Sequence, residues 1–139
     1  MADEVQPDGV VDMSKLTGTA AVLIVKDVVA SVDYFRNAVG FEAKTWGDPP
    51  YFAICQRDGQ RLMLAQAKTP SDIKPFWHLV PNLWNAYFWV EDAASLFEEL
   101  KQLGAKIDYE LCTQPYNVRE FGIQDLDGHD IGFGQVLGQ

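Results

Sequence analysis

The chain repeats itself. The stretch Ala20-Ala21-Val22-Leu23-Ile24-Val25-Lys26-Asp27 returns 65 positions later as Asn85-Ala86-Tyr87-Phe88-Trp89-Val90-Glu91-Asp92. Each copy is an alternating apolar run closed by an aspartate, followed by a helix-like segment and a glycine, Gly40 or Gly104. Further on, Arg57-Asp58-Gly59-Gln60-Arg61-Leu62-Met63-Leu64 is echoed 69 positions later by Leu126-Asp127-Gly128-His129-Asp130-Ile131-Gly132-Phe133. Two copies of so long a unit exclude a solenoid, which needs at least three repeats to bury its faces. They specify two related halves about a pseudo-twofold axis, and the symmetric place for a site is where the halves face each other.

Periodicity fills in each half. Ala21, Leu23 and Val25 alternate with Ala20, Val22 and Ile24, a strand apolar on both faces. Val28, Val29, Val32, Phe35 and Val39 then recur at helical spacing, with Asp27 placed to cap the start and Gly40 to stop the end. Residues 41–46, 51–56 and 61–66 read as strands, the last two joined by the hairpin dipeptide Asp58-Gly59. The second half has a strand over 85–90, then a helix capped by Asp92, apolar at Ala93, Leu96, Phe97, Leu100 and Leu103, and stopped by Gly104. Strands follow at 106–111, 119–124 and 130–135. The predicted class is α+β, two tandem βαβββ modules. Residues 1–15 read as a flexible arm and 16–139 as a single domain: module one 16–68, a proline-rich connecting loop 69–82, and module two 83–137.

Composition narrows the partners. A net charge of −9 and a pI near 4.5 speak against nucleic acid, whose phosphates need clustered Lys and Arg, and suit a cationic small ligand. No apolar run approaches the ~18 residues of a membrane helix, and the acidic N-terminus lacks the order of a secretory leader. A cytoplasmic location without membrane attachment is expected, as is a homodimer. Cys55 and Cys112 have no ligand-like spacing, and His78 and His129 are not spaced as a metal-ligand pair.

With Val-x-Asp before each helix and the closing Asp125-Leu126-Asp127-Gly128-His129 followed by Ile131 and Phe133, the duplicated modules resemble the vicinal oxygen chelate superfamily. That superfamily includes glyoxalase I, extradiol dioxygenases, fosfomycin-modifying enzymes and bleomycin resistance proteins. The resemblance spans about residues 17–136. It implies a curved mixed sheet around a central cleft, where in the metal enzymes four strand positions meet at one divalent ion. Those positions correspond here to Ala20, Met63, Asn85 and Gly132. None is a histidine or carboxylate, so neither metal nor any other cofactor is expected, as in the metal-less, bleomycin-resistance-like branch.

Strand parity suggests the cleft lining. Ala20, Val22, Ile24, Arg61, Met63 and Ala65 would face it from module one, and Asn85, Tyr87, Trp89, Asp130, Gly132 and Gly134 from module two. If Phe52 and Ile54 pack on the helix, Tyr51, Ala53 and Cys55 join them, as do Glu120, Gly122 and Gln124. Gly132 and Gly134 would leave the cleft open, and Glu120 would face Arg61. Mostly apolar with sparse polar groups, this set has the make-up of a ligand pocket. The candidate binding residues are Trp46, Tyr51, Arg61, Met63, Trp77, Asn85, Tyr87, Trp89 and Glu120; no catalytic residue is assigned. The leading expectation is metal-independent capture of an aromatic or cationic molecule, an antibiotic in the resistance proteins. Two alternatives stand beside it. One is a lyase or dioxygenase of the same superfamily, using a metal or Glu120 as general base; the other is a structural module with a closed cleft.

Overall fold

The computed structural model describes residues 11–138. Most of the arm expected over 1–15 lies outside them; residues 11–15 are exposed. Module one runs β1 (Ala20–Val25), α1 (Val28–Val39), β2 (Glu42–Gly47), β3 (Pro50–Arg57) and β4 (Gln60–Gln66). Module two runs β5 (Ala86–Trp89), α2 (Ala93–Leu103), β6 (Lys106–Thr113), β7 (Val118–Gln124) and β8 (Asp130–Val136). Each module forms its own four-stranded sheet, in the orders β1-β4-β3-β2 and β5-β8-β7-β6. In both, the first strand runs parallel to the last and the other pairs are antiparallel. This is the α+β, doubled βαβββ arrangement that the repeat predicts.

The helix boundaries follow from their caps. The Asp27 side chain accepts the N–H groups of Val29 and Ala30, and Asp92 accepts that of Ser95. Each satisfies donors that the first helical turn leaves unpaired. Gly40 and Gly104 end the helices at φ 77° and 94°, a region costly for any residue with a Cβ. The connecting loop holds two single 3-10 turns, Pro70–Asp72 and Phe76–His78.

Both helices lie on the inner side of their sheets, and the inner sides share one core. Leu23, Val25, Leu62 and Leu64 meet Val28, Val32 and Phe35 in module one; Phe121, Ile123 and Phe133 meet Phe97 and Leu100 in module two. Aromatic rings join the halves. Phe41 meets Phe88 edge-on at 5.8 Å, Phe88 stacks on Phe133 at 5.5 Å, and Phe133 on Phe121 at 5.1 Å. Polar ties reinforce the seam. The Tyr34 hydroxyl donates to the Gln124 carbonyl at 2.6 Å and accepts the Lys106 N–H at 3.0 Å, while Arg57 pairs with Glu99 at 2.8 Å. The opposite face of each sheet is therefore turned outward, with Val22 56% and Trp89 65% exposed.

One parity assignment is corrected. Ala53 and Cys55 are fully buried on the helix side, opposite Leu64 and Leu62, so Phe52 and Ile54 take the outer face. Tyr-Phe-Ala-Ile-Cys is apolar at every position, and a period of two cannot choose a face there. Pairing with β4 chooses it.

Candidate functional site

The outer face of module two carries a row of glycines and, over them, aromatic rings. Gly122 pairs with Gly132, and Glu120 with Gly134, across the β7–β8 ladder. A Cβ on Gly122 would lie 2.2 Å from the Tyr109 ring, and one on Gly132 would lie 2.7 Å from both Trp84 and Tyr87. The rings need bare backbone beneath them, so the space expected to stay open at Gly132 and Gly134 is occupied. Trp84 meets Tyr87 edge-on at 4.6 Å, and Tyr87 meets Trp89 at 4.9 Å. The Trp84 indole N–H donates to the Tyr109 hydroxyl at 3.0 Å.

At the centre stands Glu120, 1% exposed. Its Oε1 accepts the hydroxyls of Tyr87 and Tyr116, both at 2.7 Å. Its Oε2 accepts the Tyr109 hydroxyl at 2.6 Å and the Gln114 amide at 3.3 Å. A carboxylate offers about four lone-pair sites, and four donors fill them. Burial, then the bond to Glu120, pushes all three phenols up, that of Tyr116 to about 12 and those of Tyr87 and Tyr109 further. The rings therefore stay neutral donors across the physiological range. A recess of about 730 Å³ opens beside them, lined among others by Trp84, Asp108, Tyr109, Tyr116, Glu120 and Asp130.

The outer face of module one carries a separate recess of about 410 Å³, with Lys44, Trp46, Ile54 and Arg61 in its wall. Trp46 packs on Phe52 at 5.7 Å, and Lys44 Nζ lies 5.6 Å from the Trp46 ring centre. The two recesses share no lining residue.

The residues singled out from the sequence thus divide. Tyr87, Trp89 and Glu120 come together on module two. Trp46, Arg61 and Met63 lie on module one, and Glu120 pairs with tyrosines and Gln114 instead of facing Arg61. Tyr51 alternates with Phe52 and takes the same face of β3 as Ala53 and Cys55, its ring set against Gly47. Trp77 donates its indole N–H to the Gly128 carbonyl at 2.7 Å, and Asn85 Oδ1 accepts the Phe76 N–H at 2.9 Å. Both brace the connecting loop. Tyr109, Tyr116, Gln114 and Asp108 were not among the sequence candidates. Two register shifts along β6, flanking Tyr109, unsettle the facing that simple alternation assigns.

The superfamily's divalent ion does not fit the residues present. Ala20 and Gly132 carry no donor, Met63 offers a thioether, and the Asn85 oxygen is engaged. Asp125, Asp127 and His129 bring ligand atoms within 4.8 Å of one another, but as a turn. Asp125 Oδ1 accepts the N–H groups of Asp127 and His129, its Oδ2 lies 2.8 Å from His129 Nδ1, and Asp127 accepts the Lys26 N–H.

A family profile described as Glyoxalase/Bleomycin resistance protein/Dioxygenase superfamily matches residues 18–133. The chain belongs to that superfamily. Solved members share its fold across nearly their whole length. The bleomycin-binding protein from bleomycin-producing Streptomyces verticillus, complexed with copper(II)-bleomycin, is 25% identical, with 91% of this chain and 100% of that one covered at a TM-score of 0.68. TnmS3, an antibiotic binding protein from Streptomyces sp. CB03234, is 18% identical, with coverage of 90% and 99% and a TM-score of 0.67. A glyoxalase-related enzyme from Clostridium phytofermentans is 17% identical, with 89% and 98% covered at 0.70. No curated protein matches the sequence. Binders and an enzyme of the superfamily thus share this fold, and the side chains must separate them.

Proposed function

We propose that the protein captures a small molecule without a metal ion, taking an aromatic or cationic ligand against the aromatic face of module two. The observation that carries this reading is the state of Glu120. With every lone pair occupied by a phenol or amide donor, it has none left to accept a substrate proton. Its role is to fix three tyrosine rings as a rigid, electron-rich wall, the kind of surface on which planar groups stack and cations sit. The superfamily's metal positions offer neither imidazole nor carboxylate, which disfavours the metal-dependent lyase and dioxygenase alternatives. The Streptomyces verticillus and TnmS3 proteins, one binding bleomycin and the other an antibiotic, use the same fold for capture.

The site would be completed by a second copy. Module one turns outward an apolar face with Val22, Ile24, Ile54 and Met63, edged by Lys44 and Arg61. Module two turns outward a recess holding Asp108, Glu120 and Asp130. Face to face in a twofold dimer, these surfaces complement each other in charge and enclose a ligand on two sides.

Metal analysis of the purified protein and quenching of tryptophan fluorescence by planar aromatic cations such as ethidium and proflavine test the reading together. We expect less than a tenth of an equivalent of metal and saturable quenching. One equivalent of zinc, nickel, manganese or iron, or flat titrations across such compounds, would overturn it.

A further inference from the structure

Glu120 has nothing left to offer a ligand, yet the same recess holds a carboxyl group in the opposite condition. Asp130, the first residue of β8, is 6% exposed, and its Oδ1 has no hydrogen-bond partner. A buried acceptor left unpaired costs free energy that a donor from a ligand would recover. Across the ladder stands Gln124, whose amide donates to Asp108 at 3.4 Å. Asp108 and Asp130 both line the recess with Trp84 and Tyr109, and none of the lining residues is a lysine or arginine.

We propose that Asp130, seconded by Asp108, is the ligand's polar anchor and takes a cationic group that bears N–H donors: an amidinium, guanidinium or primary ammonium. This rests on reading the recess as a ligand site, and it narrows the class of ligand. An unpaired acceptor needs a hydrogen, which a quaternary ammonium lacks. Trp84 and Tyr109 line the same recess and would receive the body to which the cation is attached.

The electrostatics agree. Burial raises Asp130, the Gln124 amide pulls it back, and Asp108 and Asp125 raise it again, leaving it at about 6. The groups acting on it are thus Asp108 from β6, Gln124 from β7 and Asp125 from the turn, the last paired with His129, and among the described residues no lysine or arginine acts on it. A bound cation would hold Asp130 ionised, so binding should release a proton below about pH 6.

The test uses three probes of one shape: benzamidine, neutral benzamide and phenyltrimethylammonium, followed by tryptophan fluorescence and calorimetry on the full chain. At pH 7.5 benzamidine should bind at least about tenfold more tightly than the other two, as a charge-assisted hydrogen bond implies. Its affinity should be level above pH 6 and fall toward tenfold per unit below. Asp130→Asn should reduce the preference to within about twofold and flatten the pH profile. Should that variant fail to fold, Asp108→Asn and the wild-type pH profile carry the same test. Phenyltrimethylammonium binding as tightly as benzamidine, or a preference that survives Asp130→Asn, overturns the anchor. Benzamidine failing to bind while ethidium or proflavine still quenches also overturns it and leaves the capture function standing. Silence from every probe removes both.

Discussion

The Tyr87 hydroxyl lies 1.8 Å from the point where a Cβ on Gly134 would sit. No side chain fits there while Tyr87 keeps its bond to Glu120. Gly134→Ala should therefore drive Tyr87 out of the cage, at the overpacking cost of about 1–3 kcal/mol. Urea melts read the loss, and a weakened near-ultraviolet circular dichroism signal should accompany it. A variant within 0.5 kcal/mol of wild type, with an unchanged spectrum, would show that the ring is not held as described.

Glu120→Gln is nearly isosteric but replaces one acceptor oxygen by an NH₂ donor. At least one of the two donors on that oxygen, Tyr87 and Tyr116 on Oε1 or Tyr109 and Gln114 on Oε2, then loses its acceptor. Charge-assisted bonds of this kind are worth about 1.5–3 kcal/mol each. We expect a loss of about 2–4 kcal/mol at pH 7 by urea unfolding. A neutral result would mean that the four bonds contribute little beyond shape.

Asp130→Asn should do the reverse. The folded protein holds the Asp130 proton more tightly than an ordinary aspartate, from 3.8 up to about 6. Between those values the native state binds more protons than the unfolded one. Its stability must then fall as pH rises from about 4 to 6, and stay level above. The shift corresponds to at most about 3 kcal/mol, and the neighbouring Asp108 shares it. Asparagine should thus stabilise the protein by about 1–2 kcal/mol at pH 7 and by nothing at pH 4. Equal gains at both pH values would contradict the assignment. Stability gained here together with binding lost is the exchange typical of a group kept for function.

Trp89 is largely exposed and touches Tyr87 by its edge. Trp89→Ala should cost under about 1 kcal/mol of stability yet weaken binding of proflavine about tenfold, a plausible loss for one stacking ring. Loss of stability without loss of binding would place Trp89 in the scaffold instead.

Ile24 sits on the outward face of module one, and Ile24→Lys puts a charge there at little cost to the folded chain. If that face meets a second copy, sedimentation should shift from dimer to monomer. Wild-type protein that sediments as a monomer at micromolar concentration would remove the dimer.

Much of the fold was legible because local signals agreed with the repeat. Asp27 with Gly40, and Asp92 with Gly104, bracket both helices, and Val22 and Ile24 alternate with buried Leu23 and Val25 as strand parity requires. Tyr51, Ala53 and Cys55 were misplaced because all five residues of that stretch are apolar. The cage was harder to see. Tyr109 and Tyr116 reach Glu120 only through the shifted β6 ladder and the turn that follows it, and neither leaves a mark in sequence spacing. One signal was present: Gly122, Gly132 and Gly134 fall on one face of neighbouring strands. Such a row needs bulky partners from elsewhere, and a search for unassigned aromatics would have led to Trp84 and Tyr109.

The seam between the modules has a consequence for the chain's ancestry. Phe41 against Phe88, and Tyr34 spanning Gln124 and Lys106, have no counterpart inside either half alone. A fragment ending near Gln66 would expose the flank of its helix and the Phe41 ring to water. Once the duplicated unit had merged its two interiors, neither descendant kept a complete interior of its own, and the two halves should come apart in a single cooperative transition.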